Sequence, residues 1–152
     1  MIAELKVFLI AMSPIVELRG SIPLALTAYH LTIWSAYLIS VLGNLFPIVF
    51  ILLLLESVSG YLSRHSRFFN RFFNWLFERT RRNHAKKFEG AKALALMIFV
   101  AIPLPFTGAW TGALCAFVFG IPFRKALIAI AGGVIIAGLI VTLTTLGIIK
   151  IL

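Results

Sequence analysis

The stretch PIVELRGSIP, residues 14–23, decides the fold because it places two charges and two prolines in a chain that is otherwise almost continuously apolar. Proline has no backbone N–H and disfavours helix at the residue before it, and Gly20 tolerates left-handed backbone, so we expect the helix to break here. Inside a membrane, broken backbone persists only where it is buried in protein or lines a polar cavity. Glu17 and Arg19 are costly in hydrocarbon, which makes them candidate site residues and candidate partners of each other. The alternative is that the two charges only neutralise each other and hold a turn.

The composition indicates an integral membrane protein. The chain has 152 residues, of which 61% are hydrophobic and 12% are charged, and its mean hydropathy is +1.05. These values exclude an ordinary soluble domain. A chain of this length supplies few spans for a substrate path, so we expect a homo-oligomer, most simply a homodimer. The single Cys115 has no cysteine to pair with in the chain, and the three histidines lack the spacing of metal ligands, so no cofactor or metal site is expected.

Residues 1–30 predict a re-entrant helical hairpin. The break leaves arms of about 12 and about 7 residues, about 18 and 10 Å as helices, against roughly 30 Å of hydrocarbon. Neither arm can cross, so we expect the tip, with Glu17, Arg19 and Gly20, to lie near the midplane. Residues 31–60 then predict a transmembrane helix that Pro47 kinks. Asn44 either lines the same cavity as Glu17 or bonds a carbonyl that Pro47 leaves free.

Residues 61–89 form a basic linker. Stepping through them at 100° per residue places one aromatic face opposite one polar face. The apolar face consists of Phe68, Phe69, Phe72, Phe73 and Leu76, and the polar face of Arg64, Arg67, Asn70, Arg71, Asn74, Glu78 and Arg81. This pattern predicts an amphipathic helix on the membrane surface, cytoplasmic by the positive-inside rule, whose basic side contacts anionic lipid headgroups. The apolar face and the flanking membrane segments argue against nucleic acid as a partner.

The second half repeats this order. Residues 91–120 predict a second re-entrant hairpin whose tip runs from Pro103 through Pro105 and Phe106 to Gly108, and residues 121–152 predict the last transmembrane helix. Sliding the first half along the second by 88 positions aligns Gly20 with Gly108. With the linker inside, the hairpins open to opposite sides, which predicts an inverted repeat of hairpin plus transmembrane helix. The arrangement predicts a multi-pass protein of a plasma or inner membrane.

Two tips that meet at the midplane predict a transport site. Helix N-termini that follow the tips add partial positive charge to Arg19, which favours an anionic ligand. Glu17 is a candidate proton carrier, because burial favours its neutral form and Arg19 favours the carboxylate. The predicted substrate-binding residues are Glu17, Arg19, Gly20, Asn44, Thr107, Gly108, Trp110 and Thr111. No Ser/His or His/Glu grouping lies at the tips, so an intramembrane enzyme is not expected.

Residues 17–25, ELRGSIPLA, and 101–113, AIPLPFTGAWTGA, resemble the two signature segments of the small multi-drug export protein family. One departure is Phe106, where glycine is more usual in the family. The family is in turn similar to DedA-like (VTT-domain) membrane proteins, which carry acidic and arginine residues on paired re-entrant hairpins. That similarity implies movement of phosphorylated polyprenyl lipids across membranes. We therefore expect a proton-linked transporter of an anionic, lipid-phosphate-like substrate, and the alternative is an exporter of small cationic drugs.

Overall fold

The fold is all helical, as the sequence predicts. The computed structural model describes residues 2–81, 86–104 and 107–151. In these residues it contains no strand and seven helices, namely α1 (Ile2–Met12), α2 (Glu17–Thr27), α3 (Ile33–His65), α4 (Arg67–Arg81), α5 (Lys86–Ala101), α6 (Ala109–Val118) and α7 (Phe123–Ile151). Pro105 and Phe106, to which the prediction assigned the middle of the second tip, lie outside the described residues.

Two helices, α3 and α7, are long and apolar enough to cross a membrane. They have 33 and 29 residues, about 50 and 44 Å at the usual rise per residue, which exceeds the hydrocarbon thickness. Thr32 caps α3 by accepting a hydrogen bond from the Ser35 N–H at 3.3 Å. The helix continues past Gly60, where the predicted span ended, to His65, and Pro47 lies within it. A membrane location is therefore consistent with the fold.

The first break is shorter than predicted. Helix α1 ends at Met12 and α2 begins at Glu17, so only residues 13–16 interrupt the helix, and the two helices have 11 residues each. Gly20 and Pro23, which we expected to extend the break, lie inside α2. Pro23 is tolerated there because α2 packs against α1, α3 and α7, and these contacts offset the hydrogen bond that proline cannot donate.

The two halves share the same helix order and the same buried positions. Residues 2–11 of α1 and 91–100 of α5 are buried, half-buried or exposed in an identical order. The buried positions of α2 recur in α6 at a spacing of 91, and those of α3 recur in α7 mainly at 90. His30 and Gly120, with φ of 48° and 64°, form matching left-handed turns before the long helices. The predicted spacing of 88 is therefore corrected to 89–91, and it is Glu17, not Gly20, that corresponds to Gly108.

Matching glycines let each long helix approach the short helix that opens its half. A Cβ added at Gly43 would lie 2.7 Å from the carbonyl oxygen of Phe8, and one added at Gly133 would lie 2.7 Å from that of Met97. Real Cβ atoms do not come this close to other atoms. Close packing of α1 on α3, and of α5 on α7, therefore requires glycine at these two positions.

The long helices α3 and α7 run antiparallel. Tyr37, near the start of α3, donates a hydrogen bond to the Ile135 carbonyl near the middle of α7 at 3.1 Å. Leu52 and Glu56, farther along α3, face Phe123 at the start of α7 across a cavity of about 200 Å³. The core lies where these two helices meet α2, α5 and α6.

Helix α4 follows α3 after a single extended residue, Ser66. Its aromatic face is largely uncovered, since Phe68, Phe72 and Trp75 are exposed. Phe73 contacts Phe117, at the end of α6, with 6.0 Å between the ring centroids. Of the predicted linker, residues 82–85 and the side chains of 76, 77, 79–81 and 86–89 lie outside the described residues.

Candidate functional site

The two predicted tips meet around one groove. It has a volume of about 500 Å³ and is lined by Pro14, Ile15, Glu17, Arg19, Pro103, Thr107, Gly108 and Thr111. The first four residues come from the α1–α2 turn and the start of α2. The others come from the segment between α5 and α6 and the first turn of α6. Both halves of the chain therefore contribute residues to the lining of the groove.

Glu17 connects the two halves. Its φ of 49° is uncommon for a residue with a side chain and occurs mostly where the surrounding structure imposes it, often at functional sites. This backbone turn starts α2 and leaves the residue only 6% exposed. Carboxylate atom Oε1 accepts a hydrogen bond from the Trp110 backbone N–H at 3.5 Å. The side chain of one half thus caps the first turn of a helix in the other half.

Gly108 makes this cap possible. It is the N-cap residue of α6 and offers no capping side chain of its own. A Cβ at this position would lie 2.6 Å from Glu17 Cδ and still closer to both carboxylate oxygens. The N-terminus of α6 carries partial positive charge, and its first N–H groups lack partners within the helix. Glycine therefore leaves room for a carboxylate from α2 to occupy this position.

Arg19 reaches the second tip. Its Nη2 donates a hydrogen bond to Thr107 Oγ1 at 3.4 Å. Thr107 also organises the tip, because its hydroxyl lies 2.7 Å from the carbonyl of Ile102 and accepts from the N–H of Leu104 at 3.2 Å. Among the described residues, this bond to a neutral threonine occupies one of the five guanidinium donors of Arg19 at the edge of the groove.

Five of the eight predicted site residues line the groove, namely Glu17, Arg19, Thr107, Gly108 and Thr111. The other three do not form part of its lining. Gly20 packs against Val16, and Trp110 contributes its backbone N–H, whereas its buried indole Nε1 has no partner among the described residues. Asn44 is 1% exposed and lies inside the helix packing, outside the groove.

Three lining residues were not among the predicted site residues. Pro14 and Pro103 belong to the predicted breaks, so their places at the two tips could have been inferred from the same signal. Ile15 follows Pro14 in the first break and is 91% exposed. An apolar residue at a membrane break carries no signal that distinguishes it from its neighbours. Within the described residues, no three His, Cys, Asp or Glu side chains come together as a metal site requires.

The family model described as "Putative small multi-drug export protein" matches residues 17–140. This range contains Glu17 and Arg19, the second tip, the linker, all of α3 and more than half of α7. The chain belongs to this family. No curated protein and no solved structure gives a significant match to the chain. The description of the small multi-drug export protein family fits the exporter alternative, and its match begins at Glu17 itself.

Proposed function

We propose that the protein is a membrane transporter that carries an anionic, lipid-phosphate-like substrate through the groove between the two tips and links this movement to protonation of Glu17. The proposal rests on one observation, namely that the side chains of Glu17 and Arg19 have different contacts. Glu17 is buried and bonded to the first turn of α6, whereas Arg19 lines the groove and, among the described residues, donates a hydrogen bond to the neutral hydroxyl of Thr107. The charge that remains available to a ligand is therefore positive.

A phosphate group matches the donors at this groove. Guanidinium binds phosphate through parallel hydrogen bonds, and Thr107 and Thr111 add hydroxyl groups along the same lining. The groove also contains exposed Ile15 and two prolines, which suit the apolar part of a lipid. A ligand with an anionic head and an apolar tail would use both kinds of surface.

The membrane arrangement in this proposal is an inverted repeat. Matching buried positions in the two halves and the antiparallel course of α3 and α7 support it, because equivalent helices of an inverted repeat point in opposite directions. Helices α1, α2, α5 and α6 have 10 to 16 residues, which supports two re-entrant hairpins. The α4 linker lies on the cytoplasmic surface of a plasma or inner membrane, with its basic side toward anionic headgroups.

Proton linkage in this proposal follows from competition at Arg19. A bound phosphate attracts the guanidinium and reduces its stabilisation of the Glu17 carboxylate. Protonation of Glu17 then becomes easier, and by reciprocity a protonated Glu17 strengthens phosphate binding. The working unit is a homodimer without a cofactor, and native mass spectrometry of the purified protein with retained lipids would report its subunit number. The protein is not expected to be an enzyme.

A liposome assay tests the substrate class. Purified protein is reconstituted with an NBD-labelled isoprenyl phosphate, and the rate at which the label reaches the opposite leaflet is measured by dithionite quenching. We expect Arg19→Ala to reduce this rate at least tenfold and Arg19→Lys to restore it only in part, because lysine lacks the planar pair of donors. Arg64→Ala, at an exposed arginine in the last turn of α3, is the matched control. Wild-type activity in Arg19→Ala would refute an anion site at this residue.

Export of small cationic drugs is the second candidate, and the family description favours it. A cation site needs a carboxylate that a ligand can reach, and Glu17 does line the groove. The same liposomes loaded with ethidium distinguish the two functions. Ethidium movement that requires Glu17 but tolerates Arg19→Ala, together with no movement of the labelled phosphate, would establish this alternative.

A further inference from the structure

Three polar side chains in the first half are buried without partners. Ser21 on α2 and Ser40 on α3 are fully buried, and Asn44, one turn beyond Ser40, is 1% exposed. Both serine hydroxyls and both polar atoms of the Asn44 amide have no hydrogen-bond partner among the described residues. Leaving a buried polar group unpaired is costly, so such groups usually contact a ligand or a buried water molecule.

The packing of α2 against α3 places these side chains together. The two helices are consecutive and joined by residues 28–32, so they run in opposite directions, and buried Ala25 packs in one cluster with Ala36. Counting one turn along each antiparallel helix from this contact, we expect Ser21 to lie level with Ser40. A further turn would bring Glu17 level with Asn44. The polar set would then extend from the level of the Glu17 carboxylate to one turn before the Ala25–Ala36 contact.

The second half supports this placement and lacks the polar set. By the spacing of 90–91, Gly112 and Ile130 correspond to Ser21 and Ser40. A Cβ at Gly112 would lie 3.6 Å from Ile130 Cγ1, so the matching positions of the first half also face each other. Ile130 is much larger than serine, and Val134 stands in place of Asn44. The first half thus has polar side chains where the second half has glycine and aliphatic side chains.

Two backbone carbonyls in the same stretches of α2 and α3 lose the helical N–H that would normally bond them. Pro23 cannot donate to the carbonyl of Arg19, four residues earlier in α2, and Pro47 cannot donate to the carbonyl of Gly43 in α3. Backbone carbonyls freed in this way, together with hydroxyl and amide oxygens, are ligands of the kind that coordinate Na⁺ in transporters with interrupted helices. The nearby Glu17 carboxylate supplies one negative charge, which suits a monovalent ion.

We propose that Ser21, Ser40 and Asn44 form a binding site for one Na⁺ ion between α2 and α3, beside Glu17. This site is separate from the groove, since none of the three residues lines it. The bound ion would join the first break to α3 and hold the hairpin against the long helix. The inference does not require that the groove transports a lipid phosphate.

Thermal unfolding of the purified full-length protein tests the site. The midpoint is measured in NaCl, KCl and choline chloride at one ionic strength, and binding of ²²Na⁺ to the same preparation is measured at equilibrium. We expect Na⁺ alone to raise the midpoint, with a saturating dependence on concentration, because it binds the folded protein. Retention of one ²²Na⁺ per chain is the second expected result.

Variants decide whether these residues hold the ion. Ser40→Ala and Asn44→Leu should abolish the Na⁺-dependent shift, and Ser21→Ala, the smallest change, keeps the test available if Asn44→Leu does not fold. Thr145→Val is the matched control, because Thr145 is a buried hydroxyl that bonds its own helix at Val141. It should keep the wild-type shift. Equal midpoints in all three salts, no retained ²²Na⁺, or a shift that survives Ser40→Ala and Ser21→Ala would overturn the proposal. Loss of the shift in these variants with unchanged movement of the labelled phosphate would leave the ion site standing and separate it from transport.

Discussion

Replacing Gly108 by alanine is the most direct test of the contact between the two halves. The added Cβ would lie 2.6 Å from Glu17 Cδ. An ordinary contact needs almost an ångström more, so either the carboxylate or the first turn of α6 has to move by about 1 Å. The Glu17 Oε1 to Trp110 N distance is already 3.5 Å. A displacement of this size breaks the hydrogen bond, because such bonds weaken rapidly beyond that distance.

The expected loss of stability follows from two contributions. A hydrogen bond to a buried charged group contributes about 1.5–3 kcal/mol. The interaction of the carboxylate with the N-terminus of α6 contributes a further ~0.3–1 kcal/mol. We therefore expect Gly108→Ala to lower the free energy of unfolding by about 2–4 kcal/mol. Gly147→Ala is the matched control, since a Cβ at Gly147 meets nothing within 4 Å, and alanine there is neutral or slightly stabilising.

Unfolding in mixed detergent micelles, followed by tryptophan fluorescence, measures both variants. The double variant Gly108→Ala/Glu17→Gln tests the cause, because two changes that act through the same contact are not additive. A loss of less than about 0.5 kcal/mol in Gly108→Ala, which is typical of a surface substitution, would refute the reasoning. So would a double variant whose loss equals the sum of the single losses.

The remaining predictions concern coupling, topology and helix packing. Glu17→Gln keeps an acceptor for the α6 cap but carries no charge. The variant should still bind an isoprenyl phosphate, measured by calorimetry, and its transport should no longer depend on a pH gradient. Gradient-driven transport in this variant would place the coupling proton on another group. In a chain without its native cysteine, cysteines at Ser66 and Ile151 should react with an impermeant reagent from opposite sides of the membrane, and labelling from one side would contradict the inverted repeat. Gly43→Ala should lower the midpoint of thermal unfolding, because its Cβ would lie 2.7 Å from the Phe8 carbonyl oxygen. A midpoint equal to that of the wild type would show that α1 can move away from α3 without loss of stability.

Hydropathy and helix-breaking residues were sufficient to predict the order of the helices. Long apolar runs locate α3 and α7, because the length of a span depends on residue type. Prolines locate both tips, and the charges of Glu17 and Arg19 mark the first tip as a candidate site. The exact ends of the first break could not be predicted. Whether Pro23 ends a helix or lies inside one depends on neighbouring helices, and local propensity contains no information about them.

The site was predictable at the level of residue type but not of hydrogen-bond partners. Glu17 and Arg19 were expected to be partners because they are close in sequence, and the charge of Arg19 does act on the Glu17 carboxylate. Their hydrogen bonds go to the other half, since the Glu17 side chain contacts Trp110 N and the Arg19 side chain contacts Thr107. The left-handed backbone at Glu17 directs its side chain to the other half, and no sequence pattern signals such a φ for glutamate. Likewise, only the packing reveals that Asn44 is buried and does not line the groove.

The cap that Glu17 provides has a consequence for the order of events during synthesis. Glu17 and Trp110 are separated by 93 residues. At a rate of synthesis of ~5–20 residues per second, Trp110 is therefore added about 5–20 seconds after Glu17. During this interval the first hairpin contains a charged group without the α6 N–H groups. We expect it to reach its final depth only after α6 has been made. In ribosome-arrested chains a cysteine at Ser13 should therefore react with an aqueous reagent when translation stops before residue 109 and become protected once residue 118 has entered the membrane.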